Sequence, residues 1–184
     1  MIAVAKIVVI SGSPTPNSRL NGLLDVVRQH VENRKWEYNE IEVRSLPAED
    51  LLHVKFDSPA IVEANRLIAE ADGVVVATPI YKASYTGVLK AFLDLIPQKG
   101  LDNKTILPLA IGGTIAHLLA IDYALKPVLS VLGASNIVGG VYALDAQVTR
   151  LEEGGFDLVD ELQDRLQNKI NAWIQQVDSS TALS

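Results

Sequence analysis

The feature that most restricts this chain is an alternation: short, continuously apolar, β-branched runs take turns with longer segments whose apolar residues recur at helical spacing. Ile7-Val-Val-Ile10 and Val74-Val-Val-Ala77 have no polar face, which is how strands read when helices cover both sides of a parallel sheet. Five strands are expected, at Lys6 to Ser11, Trp36 to Arg44, Gly73 to Thr78, Thr105 to Ile111 and Asn136 to Leu144. The second alternates imperfectly through Trp36, Tyr38, Ile41 and Val43, and reads as an edge. Leu20, Leu23, Leu24, Val27 and Val31 form one stripe of an amphipathic helix, and Leu162, Leu166, Ile170, Trp173, Ile174 and Val177 form another. Shorter helices are expected over 59–71, 87–96 and 115–132.

Strands and helices in strict alternation require right-handed crossovers and a doubly wound α/β sandwich. With five parallel strands, the expectation is a flavodoxin-like three-layer fold in the order 2-1-3-4-5. The 184 residues suit one domain, placed at 1–178, with a disordered tail over 179–184.

Composition narrows the chemistry. Sixteen Lys and Arg against 22 Asp and Glu give a net charge of -6, unsuited to a broad face that neutralises nucleic-acid phosphates, so small molecules are the expected partners. There is no cysteine, which excludes disulfide scaffolds, thiol nucleophiles, iron–sulfur clusters and thiolate-bound zinc. His30, His53 and His117 belong to no metal-ligand spacing, so no metal site is expected. The apolar first ten residues lack a basic leading region and a cleavage site. The stretch from Ile106 to Leu132 is broken by Pro108, Gly112, Gly113, His117, Asp122, Lys126 and Pro127, so no run approaches the ~20 residues of a membrane span. A cytoplasmic protein with no membrane partner is expected.

In a doubly wound sheet, ligands bind beyond the C-terminal strand ends where the order reverses. After strand 1, Ser11-Gly-Ser-Pro-Thr-Pro-Asn-Ser-Arg19 gathers hydroxyls and amides at a helix N-terminus, which serves either as a phosphate cradle or as an N-cap with a stiff turn. It contains neither G-x-x-x-x-G-K-[ST] nor G-x-G-x-x-G. After strand 3, Thr78-Pro-Ile-Tyr-Lys-Ala-Ser-Tyr-Thr-Gly87 offers a wall for a flat ring. After strand 4, Gly112-Gly113-Thr114 allows close approach to bare main chain. Each loop has an ordinary structural reading. Together they suit flavin mononucleotide better than a dinucleotide.

Four stretches then carry a resemblance: Ser11-Gly-Ser-Pro14 with Ser18-Arg19; Asp50-Leu-Leu-His-Val-Lys-Phe-Asp-Ser-Pro59; Ala77-Thr-Pro-Ile-Tyr-Lys-Ala-Ser84 through Gly87; and Leu107-Pro-Leu-Ala with Gly112-Gly-Thr-Ile-Ala-His through Leu129. Over roughly residues 5 to 150 the chain resembles the NADPH-dependent FMN reductase family, in particular the reductases of two-component alkanesulfonate monooxygenase systems. The resemblance implies a homotetramer that moves a hydride from NADPH to FMN and hands reduced FMN to a monooxygenase. It further implies that Ser13, Ser18, Arg19 and Leu20 surround the FMN phosphate, that Pro79, Ile80, Tyr81, Lys82 and Ser84 face the isoalloxazine, and that Gly112, Gly113 and Thr114 line its other side. The family is richer in serine where this chain has Leu20, Asn21 and Gly22. Hydride transfer needs two stacked rings, and the cofactors supply the chemistry, so no catalytic side chain is expected. No basic cluster marks a site for the 2′-phosphate that distinguishes NADPH from NADH.

Pro127 lies within the expected helix 115–132, where its ring would clash with the carbonyl of Tyr123. A simple kink with Tyr123 in the core, or a one-residue π-bulge, would relieve the clash. The resemblance implies the bulge, at a subunit interface where Tyr123 helps flavin come and go. His117 is a candidate for contact near the flavin or that interface, its other reading being an ordinary hydrogen-bonded residue at a helix start. The rival functions are an FMN-retaining NAD(P)H:quinone or azo reductase, a flavodoxin-type electron carrier, and a flavin-free scaffold.

Overall fold

The apolar runs do form one parallel sheet, in a computed structural model that describes residues 4–181. The order is β1 (Lys6–Ser11), α1 (Leu20–Asn33), β2 (Glu37–Glu42), α2 (Ala48–Leu52), α3 (Pro59–Glu70), β3 (Gly73–Tyr81), β4 (Ser84–Tyr85), α4 (Gly87–Leu93) and β5 (Thr105–Gly112). After a 3-10 turn (Ile115–His117) and a π-helical turn (Ile121–Leu125) come α5 (Lys126–Val131), β6 (Asn136–Ile137), β7 (Val141–Leu144), β8 (Val148–Arg150), β9 (Phe156–Leu158) and α6 (Asp160–Thr181). The sheet runs β2-β1-β3-β5-β6, with β7 also on β5. This is the expected 2-1-3-4-5 order once the short antiparallel β4, paired only to β3, is set aside.

Side-chain alternation sorts each central strand between two cores. Ile7, Val9, Val75, Ala77, Leu107 and Leu109 face α1 and α6, whereas Val8, Ile10, Val74, Val76 and Ile106 face α3, α4 and α5. Trp173 of α6 is fully buried, and its indole N–H donates to Thr105 O at 2.9 Å. Gly73 is required beneath it, because a Cβ there would stand 2.7 Å from Trp173 Cζ2.

The structure revises several boundaries. The expected fifth strand is two strands, and Pro108 explains the break. Ile106 O accepts from Val138 N, so two residues on, the N–H that Pro108 lacks would face the same neighbour. With no donor there, the neighbouring chain bulges through Gly139 and Gly140 before pairing resumes at Leu109 and Val141. Strand 3 continues to Tyr81 and turns back as a hairpin with Tyr81 opposite Ser84. Its two turn residues, Lys82 and Ala83, have φ of 51° and 67°, the twisted geometry that normally selects Asn-Gly. The helix expected over 115–132 is broken into three kinds of turn. The last helix extends through Thr181, into the segment expected to be a tail, and 182–184 lie outside the described residues. No described helix is long and apolar enough to cross a membrane.

Candidate functional site

The loops after β1 and β3 are bound to each other before either meets a ligand. Gly12 N donates to Ala77 O at 2.8 Å. The buried Thr86 hydroxyl donates to Gly12 O at 2.6 Å and accepts from Leu89 N at 3.1 Å, so one oxygen caps α4 and bridges two loops. Thr86 N in turn donates to the Thr78 hydroxyl at 3.2 Å. Gly12 has no alternative there, since a Cβ would lie 2.7 Å from Leu89 Cβ.

The first loop organises its own hydroxyls. Ser13 Oγ donates to Thr15 O at 3.0 Å and accepts from Thr15 N at 3.3 Å, and Ser18 Oγ accepts from Leu20 N at 3.2 Å. Among the described residues, the main-chain N–H groups of Ser13, Asn17 and Arg19 meet no acceptor. The β8–β9 hairpin, not foreseen from sequence, clasps this loop from outside. Arg19 Nε donates to Val148 O at 2.9 Å, and Arg150 Nε and Nη2 donate to Asn17 O at 2.9 and 2.7 Å. Both guanidiniums keep further N–H groups. With the free amides and the positive end of α1, they gather the kinds of donor that suit an anion.

Across the cleft, Pro79, Ile80 and Tyr81 end β3. At the end of β5, the Tyr142 hydroxyl donates to Thr114 O at 2.8 Å and would collide with any side chain on Gly112. Burial, reinforced by the charge of Asp145, pushes the Tyr142 hydroxyl above the ordinary tyrosine value. Gly113 differs from Gly112: a Cβ there would meet nothing nearer than Asp145 Oδ2 at 3.6 Å.

Six sequence-predicted residues, Ser18, Arg19, Pro79, Ile80, Tyr81 and Gly112, therefore line one cleft of about 160 Å³, together with Thr15, Ile111, Asp145 and Arg150. Ser13, Lys82, Ser84, Gly113 and Thr114 lie on the same loops without lining it. The Leu20 side chain is fully buried in the core, and its N–H is committed to Ser18. Asp145 and Arg150 carry no motif. Only the return of β7 and β8 past the strand ends brings them in.

Between β5 and α5, Lys126 N donates to Ile121 O, five residues back, so a π-turn absorbs the missing donor and the ring of Pro127. Tyr123 is 79% exposed, which removes the reading that puts it in the core. Asp122 and Lys126 form an ion pair across the turn. His117 ends the 3-10 turn, half-exposed, with Ala116 N donating to the Thr114 hydroxyl at 3.2 Å.

Known proteins share both the sequence and this architecture. The profile of the NADPH-dependent FMN reductases matches residues 5–149. A protein of Pseudomonas putida named FMN reductase (NADPH) is 47% identical over 168 residues, covering 91% of this chain and 85% of the relative. One of the same name from Escherichia coli is 48% identical over 143 residues, covering 78% and 75%. The solved apo form of the NADH:FMN oxidoreductase EMOB superposes with a TM-score of 0.83 at 39% identity, covering 92% of this chain and 88% of that one. With identity of that order spanning the cleft and nearly the whole sheet, this chain belongs to the NADPH-dependent FMN reductase family.

Proposed function

We propose that this protein oxidises NADPH and reduces FMN as a substrate, releasing reduced FMN to a partner monooxygenase that desulfonates alkanesulfonates. The observation that supports the site is the pairing of unused donors with open space. Free amides and two guanidiniums at one end suit a phosphate, while the uncovered face of Gly113 beside Pro79–Tyr81 suits a flat ring. The residues present thus fit FMN.

The hydride chemistry would be supplied by NADPH, with FMN as its acceptor. The chain's residues position and shield. Arg19, Arg150 and the loop amides hold the phosphate, Ser13 and Ser18 keep that loop folded, and Pro79, Ile80 and Tyr81 wall the ring. Lys82 and Ser84 set the hairpin beside it, and Thr114, held by Tyr142, fixes the glycine segment. No side chain is asked to move a proton, which is consistent with cofactor-borne hydride chemistry.

The test mixes apo-protein with NADPH and titrates FMN, following nicotinamide absorbance, with flavin affinity read by fluorescence quenching. Turnover that saturates in free FMN is expected, together with at least tenfold weaker binding of riboflavin, which lacks the phosphate. Tight FMN with negligible NADPH oxidation would point to an electron carrier and sink the proposal.

The assembly belongs to the same proposal. Ile115, Leu118, Leu119 and Tyr123 are all exposed on the segment before α5, an apolar cluster of the kind that marks an interface. A second copy of the chain covers it in a homotetramer, with Tyr123 and His117 at the junction, in the cytoplasm. Sedimentation of the wild-type protein as a monomer at micromolar concentration would refute this.

A further inference from the structure

Asp145 is the one acidic residue that lines the cleft, and structural need does not account for it. It opens the 3-10 turn Asp145–Gln147, but that turn is held by Gln147, whose Oε1 accepts from Leu144 N at 2.9 Å. Asp145 is half-buried, and its carboxylate has no hydrogen-bond or ion-pair partner among the described residues. Two arginines line the same cleft, yet both direct donors to main-chain carbonyls and neither forms an ion pair with it. A carboxylate that lines a ligand cleft and is spent on no hydrogen bond or ion pair of the fold is free to act on whatever occupies that cleft. Its Oδ2 lies 3.6 Å from the Cβ position of Gly113, over the face left open for the ring.

The reaction changes the charge at that face. A hydride carries both electrons of the nicotinamide C4–H bond. Its transfer breaks that bond, forms an N–H bond at flavin N5, turns NADPH into NADP⁺ and adds one negative charge to a ring that was neutral. A fixed negative charge beside the ring tolerates the oxidised substrate and repels the reduced product. We infer that Asp145 discriminates between the redox states of FMN, weakening the hold on reduced FMN and so promoting its release. This rests on the reading of the cleft as an FMN site.

The experiment measures equilibrium affinity for oxidised FMN and, anaerobically, for reduced FMN, in wild type, Asp145→Asn and Asp145→Glu. The neutral variant should bind reduced FMN about five- to tenfold more tightly relative to oxidised FMN than wild type does, the size expected of one partly screened charge at close range. The difference should shrink as salt rises. The glutamate variant, which keeps the charge, should stay near wild type, and riboflavin should show the same pattern because the new charge is on the ring. A reduced-to-oxidised affinity ratio in Asp145→Asn within twofold of wild type would overturn the role of Asp145 while leaving the site intact. Wild-type protein that bound neither form would overturn the site reading, and this inference with it.

Discussion

Gly113→Val should weaken FMN binding about a hundredfold and leave the fold untouched. The main chain at Gly113 is not in the left-handed region, and a Cβ there would have only the Asp145 carboxylate in van der Waals range. The free protein thus accommodates a branched side chain with almost no change in Tm. The ligand does not: the branched carbons occupy the face on which the ring would lie, and a rigid aromatic ring cannot relax around them. An overpacking cost of ~3 kcal/mol corresponds to about a hundredfold loss of affinity. Fluorescence quenching by FMN, with a thermal melt alongside, measures both quantities. Unchanged affinity would show that the ring lies elsewhere. The adjacent glycine gives the contrast, since a side chain on Gly112 runs into the Tyr142 hydroxyl and would damage fold and site together.

Thr86→Val should have the largest effect on stability. The replacement keeps the shape and removes the hydroxyl that bonds to both Gly12 O and Leu89 N. Both main-chain groups lie in buried surroundings, and each unsatisfied partner costs about 1–3 kcal/mol, the second also as a lost helix cap. A loss of ~3 kcal/mol lowers Tm by roughly 6–12 °C for a chain of this size. Because the same oxygen joins the two loops that form the cleft, FMN affinity should fall as well. Thr86→Ser restores the hydroxyl and should recover most of both. A valine variant that melts with the wild type would show that the bridge is unimportant.

The strands and long helices are legible in the sequence because their signal is local and repeated: four apolar residues in a row at Ile7–Ile10, or a stripe from Leu162 to Val177, admit few alternatives. The split of the last strand is not legible, because its cause, Pro108, sits on a neighbouring strand some thirty residues earlier and acts through a missing donor. The β8–β9 hairpin is missed because Val148-Thr-Arg150 and Phe156-Asp-Leu158 are too short and polar to carry a period. The same limit explains the site. Loops that follow strands can be found by position alone, and within them the family resemblance picks out Ser18, Arg19, Pro79, Ile80, Tyr81 and Gly112. Asp145 and Arg150 approach from more than 120 residues beyond the loop after β1, and Thr86 resembles an ordinary cap until the fold places Gly12 against it. A distortion near Tyr123 is foreseeable because its cause, a proline four residues after a tyrosine, lies within the element itself, but a kink and a π-turn both answer that clash, and the choice of the π-turn rests on the family resemblance.

That turn also decides which residues the segment displays. In an unbroken α-helix, Leu118 would share a stripe with Leu125 and Leu129, seven and eleven residues on, and would point into the core with them. One residue more in a turn shifts everything before it by about 100° in phase. Leu125 and Leu129 remain buried while Leu118 is left 47% exposed. A single extra residue thus lets one short stretch of chain serve two surfaces, anchoring its second half inward and offering its first half outward. Ala or any other helix former at position 127 would remove the reason for that division, and the choice between the two surfaces would pass to whatever packs against them.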